Sequence, residues 1–220
     1  MPRLSHRDRN ARRTPAPRVP ASSRRSSARQ PEQTGTIRCE ELRAEHWPAL
    51  ERLFGPNGAC GGCWCMWWRV PQGGKLWKAT QGENARRSFR ALVTSGKARG
   101  VLAFDGETPV GWCAFGPRTD FPRVERSRAY RRDELNGVWC INCFFVHRTH
   151  RRRGVARTLL AAATDACHRA GARIVEAYPA PPQPDLRGGA VWRGPLTMFE
   201  DQGYRVVKRE TPARPVVEAP

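Results

Sequence analysis

Apolar positions recur along this chain with two periods. A short alternation from Thr36 to Glu40 predicts a strand, and Trp47, Leu50, Leu53 and Phe54 then return at helical spacing. Gly55-Pro56-Asn57-Gly58 ends that helix, and a Gly- and Cys-rich segment follows, Cys60 to Arg69. Ala85, Phe89, Leu92, Val93 and Gly96 mark a second helix. The runs Val101 to Phe104 and Val110 to Phe115 flank Asp105-Gly106-Glu107-Thr108-Pro109 and predict a hairpin. Residues 117–137 are polar and Arg-rich, and predict a loop with a helical piece. Val138 to Val146 is apolar except at Asn142, as a central strand covered on both faces would be. A helix from about Gly154 to Ala170 places Val155, Leu159, Ala163, Ala166 and Ala170 on one face. It places Arg157, Asp165 and His168 on the other, and Gly171 ends it. Beyond it the pattern predicts a strand from Arg173 to Tyr178 and a loop from Pro179 to Gly194. A short helix from Leu196 to Asp201 and strands at Tyr204 to Arg209 and Arg214 to Val217 complete the chain. Intermixed strands and helices predict an α/β or α+β fold with one central mixed sheet.

Residues 1–35 break from this pattern. They hold nine arginines, five prolines and five serines, with Asp8 and Glu32 as the acids. Sparse apolar residues cannot offset the entropy of ordering such a segment, so a disordered basic tail is expected, with the folded domain spanning 36–220. A mis-assigned start codon or an organelle transit peptide would also account for the tail. The whole chain of 220 residues carries 39 Lys+Arg against 20 Asp+Glu, a formal charge of +19. Such a charge attracts nucleotides, phosphorylated cofactors and nucleic acid without choosing among them. Only four of the basic residues are lysine, so the charge in part records an arginine-rich composition. No apolar run approaches the ~18 residues of a membrane span, and the N-terminus shows no export-type apolar stretch. A cytoplasmic protein with thiols rather than disulfides is expected, as a monomer or homodimer.

The chemistry concentrates after the central strand. A buried strand that feeds a Gly turn and then a helix is an anion site. The free N–H groups of the first helical turn point outward, and the helix dipole adds positive potential. Here the turn is Arg151-Arg152-Arg153-Gly154-Val155-Ala156, preceded by Val146-His-Arg-Thr-His150. Its arginines suit phosphate geometry. His147 and His150 flank it.

This arrangement resembles the GNAT N-acyltransferase family, whose acetyl-CoA motif is Gln/Arg-x-x-Gly-x-Gly/Ala directly after the fourth strand. Met198 to Tyr204 stands where that family has its last helix and "Gly-Phe" turn. Cys63 to Arg69 resembles a subgroup with a Cys-Trp-Cys-Met-x-Trp-Arg segment. The resemblance covers roughly residues 36–217. It implies a single GNAT-like domain, α/β (α+β) with a mostly antiparallel sheet, and acetyl-CoA as co-substrate. It also implies that Phe144, Phe145 and Val146 pair with the pantetheine arm and that the amides of Arg151, Arg152, Arg153, Gly154, Val155 and Ala156 hold the pyrophosphate.

Transfer in that family is direct attack of an amine on the thioester. It calls for a base, an oxyanion donor and an acid for the leaving thiolate. A strand amide near Phe145 or Val146 is the expected oxyanion donor. The family's usual Tyr is replaced here by Phe199, counted back from Gly203, which leaves Tyr178 and Tyr204 as acid candidates. Glu176 is the best carboxylate for the base, with a salt-bridged strand Glu as the alternative. Cys60-x-x-Cys63-x-Cys65 lacks the spacing of a zinc ribbon, so no metal is assigned. With Cys63, Trp64, Trp67 and Trp68 it is expected to form an aromatic wall of the acceptor cleft, suited to a small apolar or aromatic amine or a peptide N-terminus. The competing reading is a catalytically degenerate CoA-binding or nucleic-acid module, with nonspecific nucleic-acid contact through the tail.

Overall fold

The structure is a computed structural model and describes residues 36–71, 73–180 and 192–220. The tail 1–35 and most of the Pro179 to Gly194 loop lie outside the described residues. The rest forms a sheet with strands β1 (Arg38–Glu41), β2 (Arg99–Asp105), β3 (Thr108–Pro117), β4 (Val138–Val146), β5 (Ile174–Ala177), β6 (Arg205–Arg209) and β7 (Pro215–Glu218). Their spatial order is β1-β2-β3-β4-β5-β7-β6, and every pair is antiparallel except β4 with β5.

β4 has the bounds its apolar run, interrupted at Asn142 alone, predicts, and it lies at the centre of the sheet. Helices cover it on both faces. α1 (Trp47–Phe54) and α3 (Glu83–Thr94) bury Leu50, Phe54 and Phe89 against Leu102, Trp112 and Ala114. On the other face α5 (Val155–Arg169) buries Val155, Leu159, Leu160, Ala163 and Ala166 against Val101, Cys113 and Ile141, joined by α6 (Leu196–Glu200). Ala170 lies past the end of α5 and is exposed, while Leu160 and Cys167 complete the apolar face. α5 sits close to the sheet because Gly111 leaves room. A Cβ there would meet Leu159 Cδ1 and Val155 Cγ1 at 2.9 Å.

Two segments differ from the sequence reading. α2 (Gly74–Thr80) is a helix the pattern does not announce, since Gly73 and Gly74 precede it and its apolar face is one Leu and one Trp. The 117–137 stretch contains 3-10 turns at Arg118–Asp120 and Arg128–Tyr130 around α4 (Pro122–Glu125). The hairpin turn is tighter than expected: Asp105 pairs with Thr108, and Gly106 takes φ +57°.

Candidate active site

β4 and β5 run together only from Val138 to Ile141. Pairing of β4 with β3 skips Asn142, because Phe115 faces Ile141 while Ala114 faces Cys143. This is a bulge, and it turns β4 away from β5. The Trp68 Nε1–H donates to the bulged Asn142 carbonyl at 2.6 Å. Beyond it, β4 keeps β3 on one side and, among the described residues, has no strand on the other.

Alternation decides which backbone groups face that open side. His147 N–H bonds to Val110 O, so its register partners Phe145 and Cys143 also turn toward β3. Phe144 and Val146 therefore present their groups to the open edge. The Val146 carbonyl accepts from Arg151 Nε at 3.1 Å. The expected oxyanion donor thus falls on the amide of Phe144 or Val146, and Phe145 is turned away.

The open edge leads straight into the turn. Arg152 has φ +61° and Gly154 φ +81°, both in the left-handed region. The Gly154 carbonyl starts α5 by accepting from Arg157 and Thr158. Among the described residues no backbone carbonyl accepts from the six amides Arg151 to Ala156. Such a row of free donors at a helix N-terminus is an anion cradle. His150 closes one side, its Nε2 3.2 Å from Asp105 Oδ2 and its Nδ1 bonded to Thr149.

A cavity of about 1570 Å³ connects these parts. Phe144, Phe145, Val146, Arg151, Arg152, Gly154, Val155 and Ala156 line one end. Arg153, the remaining member of the turn, is exposed and does not line it. Cys63, Trp67 and Trp68 line the other end, with Trp77, Trp192 and Gly61. The Trp67 and Trp77 rings meet edge to face at 5.0 Å, and Trp68 lies 5.5 Å from Trp192. Arg123 stacks on Trp67 at 3.8 Å. Trp64 is not part of this wall. It is buried in the core, stacked on Trp47 at 5.8 Å.

The three expected catalytic side chains lie away from the cavity. Glu176 is fully buried and ion-paired with buried Arg118, which also donates to Tyr178 Oη at 2.8 Å and to the Tyr130 carbonyl. Tyr178 Oη donates in turn to Glu176, and Arg132 bridges Glu176 to Glu218. Burial pushes the Tyr178 phenol well above its ordinary value. Glu176 and Tyr178 are thus brought together, but as a closed network beneath Trp68, whose ring lies 5.8 Å from Tyr178. Tyr204 is packed between α5 and α6, bonded to Thr164 Oγ1 at 2.6 Å. Burial raises it too. The alternative stated for Glu176, a salt-bridged strand residue, describes its surroundings.

Cys60, Cys63 and Cys65 diverge. Cys60 is exposed, while Cys63 is half-buried with Sγ 3.8 Å from the Gly58 carbonyl. Cys65 is buried and accepts from Trp112 Nε1–H at 3.3 Å. Among the described residues no three His, Cys, Asp or Glu side chains gather in a way that would hold a metal ion. Among them, too, no helix is long and apolar enough to cross a membrane. Cys143 and Trp112 join the cavity although the sequence gives no sign of it, because both sit inside apolar strands and read as core.

Known proteins share this fold. The sequence model of the acetyltransferase (GNAT) family matches residues 65–187. A GCN5-related N-acetyltransferase from Kribbella flavida is 18% identical, with a TM-score of 0.50 over 84% of this chain and 97% of its own. The PaiA N-acetyltransferase from Thermoplasma acidophilum, solved in complex with coenzyme A, is 12% identical. Its TM-score is 0.50, over 84% of this chain and 98% of its own. No curated protein matches the chain. The strand, turn and helix that carry the free amides lie inside the matched segment, and the chain belongs to the acetyltransferase (GNAT) family.

Proposed function

We propose that this chain is an acetyl-CoA-dependent N-acetyltransferase whose acceptor is a small amine or a peptide N-terminus. The observation that carries the reading is continuity. The open edge of β4 leads through one 3-10 turn (Arg148–His150) into six amides, at and just before the start of α5, that have no backbone acceptor among the described residues.

The residues fit the co-substrate. The amides of Arg151 to Ala156, with the side chains of Arg151 and Arg152, match a pyrophosphate in charge and donor count. Phe144 and Val146 offer a strand edge to the two amides of a pantetheine arm, as an added strand would use it. Asn142 is buried at the splay, and its Oδ1 has no hydrogen-bond partner among the described residues. An N–H of β4 directed to the open edge stabilises negative charge on the thioester oxygen.

The acceptor enters between the tryptophans. Trp67, Trp77 and Trp192 favour an apolar or aromatic body by contact area and ring stacking. No Asp, Glu or Lys lines the cavity among the described residues. Together with the +19 charge, this disfavours a polycationic acceptor. Arylalkylamines, peptides with an aromatic first residue, and aliphatic polyamines form the test panel. CoA and acetylated amine are quantified by chromatography, since the eight cysteines preclude thiol dyes. The reading predicts CoA release above the hydrolysis blank with aromatic amines or peptides. Release at the blank rate across the panel would overturn it.

A further inference from the structure

The geometry points to a second ligand site in this chain, for a monocarboxylate on a small apolar body, in a cavity that has no lining residue in common with the acetyl-CoA cavity. The second site goes beyond the acetyltransferase reading and stands whether or not that reading does.

The second cavity has a volume of about 630 Å³, within the range of small-molecule sites. It lies at the far end of β3. Gly111 pairs with Val146 beside the acetyl-CoA cavity, whereas Pro117, at the other end of the strand, lines the second one. Arg99 at the start of β2, and Leu92 and Lys97 at and just past the end of α3, form another side. Met66 and Arg69 close it, and they belong to the turn that gives Cys65, Trp67 and Trp68 to the acetyl-CoA cavity. One turn thus separates the two cavities, and a ligand in the second touches the back of the acceptor wall.

Arg69 marks the ligand. Its side chain is only 7% exposed, yet it makes no close hydrogen bond among the described residues. Nε is buried without a partner there. Nη1 reaches the Asp120 carbonyl at 3.5 Å and the Asp120 carboxylate at 3.7 Å. The Phe121 ring, 4.7 Å away, supplies a stacking contact. A guanidinium offers five N–H donors, and its bonds to a carboxylate are normally ~2.7–2.9 Å long. Buried Arg118 is paired in that way, donating to Glu176, to Tyr178 and to the Tyr130 carbonyl. Arg69 differs, and a buried donor left unmade is costly. A carboxylate entering from the cavity fills the deficit.

The lining selects the class of anion. Lys97 is exposed at the rim and adds a second positive charge. Arg99 is engaged elsewhere, its guanidinium stacked over Trp139 at 5.3 Å. Asp120 lines the same cavity and repels negative charge. Arg69 and Lys97 against Asp120 leave a single positive charge to balance, which favours a monoanion over phosphate. A planar carboxylate also matches the guanidinium fork. Met66, Leu92, Pro117 and Pro122 are apolar and receive the hydrocarbon body behind it.

Methyl-labelled methionine reads both cavities in one NMR spectrum. The chain has three methionines: Met66 lines the second cavity, Met198 lines the acetyl-CoA cavity, and Met1 belongs to the tail. Full-length reduced protein is titrated with sodium benzoate, benzamide and inorganic phosphate at constant ionic strength. Benzoate should shift the Met66 methyl resonance saturably, with a Kd of about 1 mM for so small a ligand. Benzamide and phosphate should bind about tenfold more weakly or worse. Arg69→Gln should abolish the Met66 shift. Lys97→Glu alters an exposed side chain, so the fold is kept, and benzoate should bind about threefold more weakly or worse. A shift of Met198 alone places benzoate in the acetyl-CoA cavity and overturns the proposal. So does the lack of a saturable Met66 shift, equal binding of benzamide, tighter binding of phosphate, or unchanged affinity in Lys97→Glu. None of these results touches acetyl-CoA binding, which is measured separately.

Discussion

At Gly154 the backbone sets the requirement. Its φ is +81°, and nothing lies within 4 Å of where a Cβ would project. A side chain therefore has room, and the penalty is conformational, about 1–2 kcal/mol for Gly154→Ala. Urea unfolding should show that loss, and a loss near zero would mean the turn relaxes. Glu176→Gln is the complementary case. It leaves the buried Arg118 charge with only the more distant Glu125, 3.9 Å away, as counter-ion, and removing one partner of such a buried pair costs up to about 3–5 kcal/mol. The melting temperature should fall by several degrees while acetyl-CoA affinity is kept, because neither residue reaches the cavity. Weakened binding at intact stability would instead return Glu176 to the site. A salt-bridged strand residue was among the sequence readings of Glu176, but its partner was not legible. Arg118 lies 58 residues away in an Arg-rich stretch, with nothing to single it out.

Among the elements, β4 is the one on which the site depends, and Trp68 holds its bulge. Trp68→Phe keeps a ring but removes the N–H from a buried carbonyl, at about 1–3 kcal/mol. The expected outcome is a weaker site as well as a weaker fold, with acetyl-CoA affinity reduced several-fold by calorimetry. Unchanged affinity would show that the splay of β4 needs no such tie. α5 is positioned from beneath. Gly111→Val would press on Leu159 and Val155, and overpacking of this kind costs about 1–3 kcal/mol. The course of these two elements was readable because each has a long, nearly unmixed pattern: β4 is apolar but for Asn142, and α5 has one apolar face. The bulge was not readable. Asn142 marks it, but a lone polar residue in a strand does not say that a register slips there. Trp64, Trp67 and Trp68 are consecutive or nearly so, and their composition suggested one wall. Left-handed turns at Trp64 and Cys65 send Trp64 into the core and its neighbours to the cavity.

Over the whole molecule, the buried thiols make stability depend on alkaline pH. Burial lifts Cys63 from an ordinary thiol value of about 9 to about 11, and raises Cys113 and Cys140 well above it. A group raised in the folded state stabilises fully below its unfolded pKa and loses that contribution as pH climbs through the folded one. Cys65 shifts the other way, but more groups are raised than lowered. The melting temperature, measured under reducing conditions, should therefore hold to about pH 9 and fall steeply toward pH 11; a flat profile would contradict the burial of these thiols. The same scale holds the central claim, that the β4 edge and the α5 turn form one acetyl-CoA site. Calorimetric titration of acetyl-CoA into the full-length reduced protein, beside Gly154→Glu, tests it most directly. Glutamate there places a carboxylate against the pyrophosphate cradle. Micromolar binding by the parent chain and its loss in the variant is the predicted result. No binding by the parent, or equal binding by both, would contradict it.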